Sequence, residues 1–504
     1  MGNISRQALI FFAGTVFTTG LGYLFKVYLA RALGAEALGI YALGMTLVGI
    51  LGILNTLGLS QTAVRFVASY SATGRFDLLR GFLGRGYLLL LTSNLLFGAV
   101  LMLAGPWAAV HFYHTPSLNS YLWFFAGIML FGALNGFLSQ TLTGYGDVAR
   151  RTIINSFIGS PLTMAITVAL LMLGLGLRGY LTAQVAASIA ICALLAVSVW
   201  KLTPAPARVL SGRFAPFERE VFTFSAAAFG VSLLEFLLAQ SDTIMIGFFR
   251  NARELGVYAL ATALVGVVAI ILQSVNQIFS PTIAALHARG DHALLGRIFQ
   301  TLTKWIIGLT LPLAAIMVLF AKPLMALFGH DFNVGWPVVI IGTVGQLINC
   351  GVGSVGFLLL MTGQQGRLLR IQMATAVVML GLNTLLIPRW GINGAAVSSA
   401  ASAALSNILG LLQVRKGLGL FPYNAGYWRL LPPLAATCIV LLLSHATFHA
   451  MKQDWRVIGA SLALSYAAFI GTALAWGLDA DDKLIAQAIW ARLSSPFQRA
   501  EVLP

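Results

Sequence analysis

Leu38–Gly49 reads L-G-I-Y-A-L-G-M-T-L-V-G, and Leu255–Gly266 reads L-G-V-Y-A-L-A-T-A-L-V-G, with eight of twelve positions identical at an offset of 217. Each copy lies in an uncharged apolar run of more than 20 residues, 38–60 and 255–280. Such a run is long enough to cross a hydrocarbon core of about 30 Å as a helix, because a helix satisfies its own backbone hydrogen bonds where no water is available. The pair therefore says two things at once: the chain is built from membrane helices, and it is internally duplicated.

Composition carries the first point to the whole molecule. Of 504 residues 59% are hydrophobic and 9% charged, with mean hydropathy +0.88, whereas soluble domains carry about a quarter charged residues. The short alternating segments of a membrane β-barrel are absent from the sequence. Spans are expected at 9–30, 38–60, 86–105, 119–142, 152–173, 179–200, 219–248, 256–280, 299–321, 336–361, 370–388, 393–414, 429–449 and 457–477. The run from Leu9 to Ala30 is of span length and has no A-x-A-like cleavage site, so it reads as a first span and not as a signal peptide.

The 31 Lys and Arg residues against 15 Asp and Glu would suit a nucleic-acid binder if they formed a patch. They fall instead in short connections between spans. With the amino terminus inside, 22 lie on the inner side and 8 on the outer, with Lys26 inside a span. This bias predicts an even number of spans and both termini in the cytoplasm. The outer loops are short, the longest near 106–118 and 322–335, and leave no extramembrane domain to hold an active site.

The proline-bearing connection 202–218 divides the first twelve spans equally. The expected organisation is a lobe of six helices at 1–201, a cytoplasmic linker at 202–218, a second lobe at 219–416, two further helices at 417–478 and an amphipathic cytoplasmic tail at 479–504. Further pairs follow the repeat: Thr143-Gly144 and Arg151 with Thr362-Gly363 and Arg370 at 219, and Gly176 and Gly179 with Gly391 and Gly394 at 215. Six helices per repeat keep both copies in one orientation, so the fold class expected is an all-α integral membrane protein of about 14 helices. Its two six-helix lobes would be related by a pseudo-two-fold axis along the membrane normal, with two C-terminal helices added.

R-A-L-G-A-E-A-L-G-I-Y-A-L at Arg31–Leu43, Q-S-D-T-I-M-I-G-F-F-R-N-A-R-E-L-G-V-Y-A-L at Gln240–Leu260 and W-G-I-N-G-A-A at Trp390–Ala396 resemble the polysaccharide/oligosaccharide flippase family of the multidrug/oligosaccharidyl-lipid/polysaccharide exporter superfamily. The resemblance covers the first twelve spans. It implies a rocking, alternating-access transporter whose cargo is a lipid-linked sugar unit such as an undecaprenyl-pyrophosphate oligosaccharide. It also implies a bacterial or archaeal inner membrane, and polymerases and glycosyltransferases of the same pathway as partners. Two alternatives share the fold: a cation-coupled multidrug or metabolite exporter, and a lipid II flippase.

Charged and amide side chains inside spans are the candidate functional residues, since each is costly in hydrocarbon. Lys26 shares a face with Thr15, Thr19 and Gly22 and could attract a pyrophosphate, or snorkel outward. Asp242 falls one residue from the repeat position of Lys26, so the two could pair. Asp242 and Glu235 are otherwise candidates for coupling to H+ or Na+. Asn55, Gln61, Gln273, Asn276 and Gln277 could bind sugar hydroxyls or join helices, with Gln346 and Asn349 weaker candidates, and Arg65 could meet phosphate oxygens bidentately. Cys192, Cys350 and Cys438 and the pairs His111/His114 and His287/His292 lack metal-ligand spacing. No nucleotide-binding or hydrolase motif occurs, so neither a catalytic residue nor a resident cofactor is expected.

Overall fold

The computed structural model describes residues 2–208, 215–450, 455–476 and 482, which are helical with no strand among them. Twelve helical stretches are long and apolar enough to cross a membrane. Two of these are double. Gly34 (φ 78°) inside Gly2–Thr56 and Gly391 (φ 57°) inside Gln365–Leu418 adopt left-handed backbone that a side chain would oppose, so each stretch is two spans. The fourteen expected spans are therefore present, and two of the expected loops shrink to a single glycine.

The helices are α1 (2–33), α2 (35–72, with a break at Leu57 and Gly58), α3 (Phe76–Trp107), α4 (Leu122–Gly144), α5 (Val148–Met172), α6 (Gly176–Leu202) and α7 (Arg219–Phe249). They continue as α8 (Ala252–Ala288), α9 (His292–Leu319), α10 (336–361, broken at Gly353), α11 (365–390), α12 (392–418), α13 (Leu431–Ala450) and α14 (Trp455–Trp476). The chain divides into two compact units, Met1–Gly256 and Val257–Pro504.

In the first unit Phe66 and Val67 of α2, Leu79 and Phe82 of α3 and Phe137 of α4 form one buried cluster. Leu142, Ile154 and Leu195 join α4, α5 and α6 in another. Helix α7 runs antiparallel along α2 over its whole length. Glycines allow this approach: a Cβ on Gly49 would strike the Phe236 ring and one on Gly58 the Ser225 carbonyl, while beyond the end of α7 one on Gly39 would strike the Ala252 carbonyl at the start of α8. Lipid drives no hydrophobic association between helices, so close backbone contact through small residues supplies the attraction. Gly256 meets the Ala35 carbonyl in the same way that Gly39 meets Ala252. Both members of this reciprocal contact stand 217 residues apart, the offset of the repeat.

In the second unit Leu295 and Phe299 of α9 pack with Leu358 and Leu359 of α10 and Val414 of α12. Helices α13 and α14 form a hairpin that lies on α9. The Phe469 ring fills the notch at Gly308, and the Tyr466 hydroxyl donates to the Leu309 carbonyl at 2.8 Å. Asp482 returns to the same helix: its carboxylate lies 2.7 Å from the Lys304 ammonium and accepts from the Trp305 indole at 2.9 Å. The rest of the expected amphipathic tail, like residues 209–214 of the linker, lies outside the described residues.

The connections sharpen the repeat. Glycines with positive φ close corresponding turns at Gly74 and Gly290, Gly146 and Gly363, and Gly174 and Gly391, at offsets of 216, 217 and 217. Pairing Thr143-Gly144 with Thr362-Gly363 slips by two residues, because the residue forced into left-handed backbone in the first copy is Gly146. Aspartates follow two of these turns as helix caps, Asp147 accepting from the Arg150 amide and Asp291 from the Leu294 amide.

Candidate functional site

The polar residues of α2 and α7 form a ladder. Gln61 donates to the Ser232 hydroxyl at 3.3 Å, the Thr62 and Ser225 hydroxyls lie 2.9 Å apart, and Arg65 pairs with Glu220. The Arg65 guanidinium also covers the Phe224 ring at 4.8 Å. At the end of the ladder Glu218 accepts from the Tyr70 hydroxyl and from Arg75, each at 2.7 Å. The Tyr70 hydrogen bond, followed by that of Arg75, holds the Glu218 carboxyl below the usual carboxylate range.

Lys26 and Asp242 are not brought together. Lys26 is exposed, its ammonium 4.8 Å from the Tyr23 ring centroid, with no ion-pair partner among the described residues. Asp242 is buried and accepts weakly from Ser241 at 3.4 Å. Glu235 is exposed on α7 and has no ion-pair partner among the described residues. Asn55, fully buried, is held inside the helix packing: its amide donates to Asn94 at 2.5 Å while its oxygen accepts from Ser93 at 2.5 Å. In the second unit Gln273 and Gln277 are exposed on α8. Asn276 is buried, and its Oδ1 has no partner among the described residues. The Asn349 amide donates to Gln346 at 3.2 Å on the same helix.

Besides these, the first unit holds a cavity of about 370 Å³ between α1, α2, α4 and α5. Its polar wall is built by Ser60, Asn135, Ser139, Gln140, Arg151 and Asn155. Two spacings produce it: Asn135, Ser139 and Gln140 share a face of α4 at i, i+4 and i+5, and Arg151, Asn155 and Ser156 repeat that spacing on α5. From Ile153 to Gly159 the α5 backbone is π-helical, a widened turn that re-aims the side chains it carries. Asn155 there donates to Ser139 at 3.0 Å. Arg151 is one of the inner-side basic residues, so the charge bias alone accounts for it in sequence. The matching polar triplets on two successive spans were the available signal, since each would be unusual on a lipid-facing surface.

Fourteen apolar helices of span length, with amides and hydroxyls buried among them, define a multi-pass membrane protein. The family model of the polysaccharide biosynthesis proteins matches residues 4–287, more than half the chain, and the MatE model matches 227–388. The chain belongs to the polysaccharide biosynthesis protein family. It is similar to two proteins of Haloferax volcanii, the probable flippase AglR (23% identity over 84% of this chain and 86% of that one) and the probable low-salt glycan biosynthesis flippase Agl15 (23% identity over 38% and 41%). It thus spans less than half the length of Agl15 and most of AglR. Among solved structures, the lipid II flippase MurJ in an inward closed conformation superposes with a TM-score of 0.67 at 12% identity, over 96% of this chain and 99% of that one. An inward-facing multidrug resistance MATE transporter gives 0.63 at 15% identity, over 79% and 94%. These likenesses establish the fold.

Proposed function

We propose that the chain flips a lipid-linked oligosaccharide across the plasma membrane of a bacterium or archaeon by alternating access, for cell-surface glycan synthesis, with both termini in the cytoplasm. The observation that carries this reading is Lys26. An ammonium inside a span, exposed and without a carboxylate on it among the described residues, is a ready counter-charge for a pyrophosphate or an acidic sugar. A sugar-pyrophosphate head cannot shed its water to cross about 30 Å of hydrocarbon, and a hydrated cationic face replaces that solvation. Gln61 supplies an exposed amide in the same unit. The names of the two archaeal relatives point the same way, and polymerases and glycosyltransferases of the same pathway are the expected partners.

Glu235 favours a second reading, cation-coupled export, because an exposed carboxylate inside a span attracts a small cation or a proton. One assay separates the two. Proteoliposomes are loaded with a labelled polyprenyl-pyrophosphate oligosaccharide, and its flipping is followed for wild type, Lys26→Ala, Lys26→Arg and Glu235→Gln. Flipping by wild type that is lost in Lys26→Ala and restored in Lys26→Arg supports the proposal. Export of small organic cations on a proton or sodium gradient, with no flipping of the glycolipid, overturns it.

A further inference from the structure

We propose that the cavity between α1, α2, α4 and α5 binds a phosphorylated polyol, its phosphate on Arg151 and a hydroxyl on Asn135. The site lies inside the first unit; its glycan source rests on the transport reading, and its phospholipid source does not.

The charge comes first. Arg151 has no carboxylate partner among the described residues, and no Asp or Glu lines the cavity. The carboxylate of the adjoining turn, Asp147, is engaged elsewhere: it caps the α5 backbone at the Arg150 amide and pairs with the Arg150 side chain at 3.1 Å. Arg151 therefore presents a net positive charge to an open cleft. Its two hydrogen bonds, to Thr143 at 3.1 Å and to Gln140 at 3.5 Å, both leave from Nη1. The remaining fork of donors keeps the geometry that matches two oxygens of a phosphate. The Thr143 and Gln140 contacts fix the guanidinium plane in advance, which lowers the ordering cost of binding.

The second feature is an acceptor in want of a donor. The Asn135 amide donates to the Ser188 carbonyl at 3.1 Å, and its Oδ1 is buried with no partner among the described residues. A buried acceptor left unmade is unfavourable, and a phosphate diester, which has no P–OH, cannot donate to it. A hydroxyl can. An anion alone leaves Asn135 unanswered and a neutral sugar leaves Arg151 unanswered, so a ligand with both groups fits the wall. The volume, about 370 Å³, lies in the range of small-molecule sites.

Depth agrees with access from the membrane surface. Arg151 stands three residues inside the start of α5, and Asn135 nine residues before the end of α4. At 1.5 Å per residue these lie about 5 and 14 Å from one end of the unit, the end that the charge bias assigns to the cytoplasm. Two sources present this chemistry: the glycosyl phosphate of a lipid-linked sugar, and the glycerophosphate headgroup of an anionic phospholipid.

The test uses the full chain in nanodiscs of zwitterionic lipid, titrated with glucose 1-phosphate, glycerol 3-phosphate, glucose and inorganic phosphate. Two variants accompany it. Arg151→Gln removes the charge. Gly136→Leu fills the cavity and leaves the charge alone, since a Cβ at Gly136 meets little besides the Ser60 hydroxyl at 3.5 Å. The expected result is saturable binding of one or both organic phosphates to wild type, stronger than that of glucose or phosphate, and weakened on the order of tenfold or more in each variant. Preference for glucose 1-phosphate assigns the site to the glycan. Preference for glycerol 3-phosphate, with phosphatidylglycerol co-purifying with wild type and not with Gly136→Leu, assigns it to the phospholipid. Absence of binding at millimolar concentration, or binding that neither variant changes, overturns the proposal.

Discussion

Removing the Asp482 carboxylate is the most informative perturbation of the second unit. Side-chain exposure is 8% at Lys304 and 6% at Asp482, so the pair is desolvated on both sides, and the Trp305 indole uses the same carboxylate. Asp482→Ala strips the ammonium of its 2.7 Å contact and the indole of its acceptor in one step. Breaking a buried ion pair from one side costs about 3–5 kcal/mol, because the surviving charge stays out of water. That amounts to two to three and a half orders of magnitude in the folded-to-unfolded ratio. Equilibrium unfolding in mixed micelles, followed by tryptophan fluorescence, measures it. Lys304→Met/Asp482→Leu provides the control: with both charges gone it should recover most of the loss, as apolar replacements of buried pairs often do. Trp305→Phe, which removes a single donor, should cost about 1 kcal/mol. A single Asp482→Ala variant within about 0.5 kcal/mol of wild type, or a double variant as unstable as the single, refutes the reasoning.

Gly39→Leu should lower stability by about 1–3 kcal/mol or more, because its side chain meets the Ala252 carbonyl. Gly52→Leu, on the same helix with open space around it, should be near neutral, and thermal stability in detergent compares the two. Asn55→Leu leaves Asn94 Oδ1 buried without its donor and should cost about 1–3 kcal/mol in the same assay. For Glu218 the sign follows from its depressed folded-state value: the stability it contributes is present above the unfolded carboxylate pKa of about 4.3 and is lost as pH falls through the folded value. Melting temperature measured from pH 7 downward should therefore fall less for Glu218→Gln than for wild type, and parallel curves would contradict this.

Hydropathy alone located all fourteen spans, because backbone in hydrocarbon leaves few alternatives to a helix. The two spans joined at Gly34 and the two at Gly391 were separable in sequence, yet the turns proved tighter than any loop assigned there. Side-chain allegiance was less legible. Arg65 had a plausible ligand role, and its Glu220 partner lies 155 positions away, beyond the reach of spacing arguments. Asn55 could by type bind sugar or join helices, and its hydrogen-bond partners Ser93 and Asn94 stand 38 and 39 positions away, again beyond spacing arguments. Arg151 lay close enough to a helix end to be explained by topology. Its neighbours on α4 give it a cavity to face, and these are visible only when the two spans are laid side by side.

The antiparallel seam between α2 and α7 also sets an order of events during synthesis. Helix α2 ends at residue 72 and α7 at Phe249, so at a ribosomal rate of 5–20 residues per second their completion is separated by about ten to thirty-five seconds. Throughout that interval the glycine groove of α2 has no mate, and nascent α3 to α6 must leave it vacant. The insertion machinery, or an intramembrane chaperone beside it, is then expected to hold α2 within reach until its partner emerges. Slowing translation between codons 72 and 219 would lengthen the exposure and raise quality-control degradation of the nascent chain.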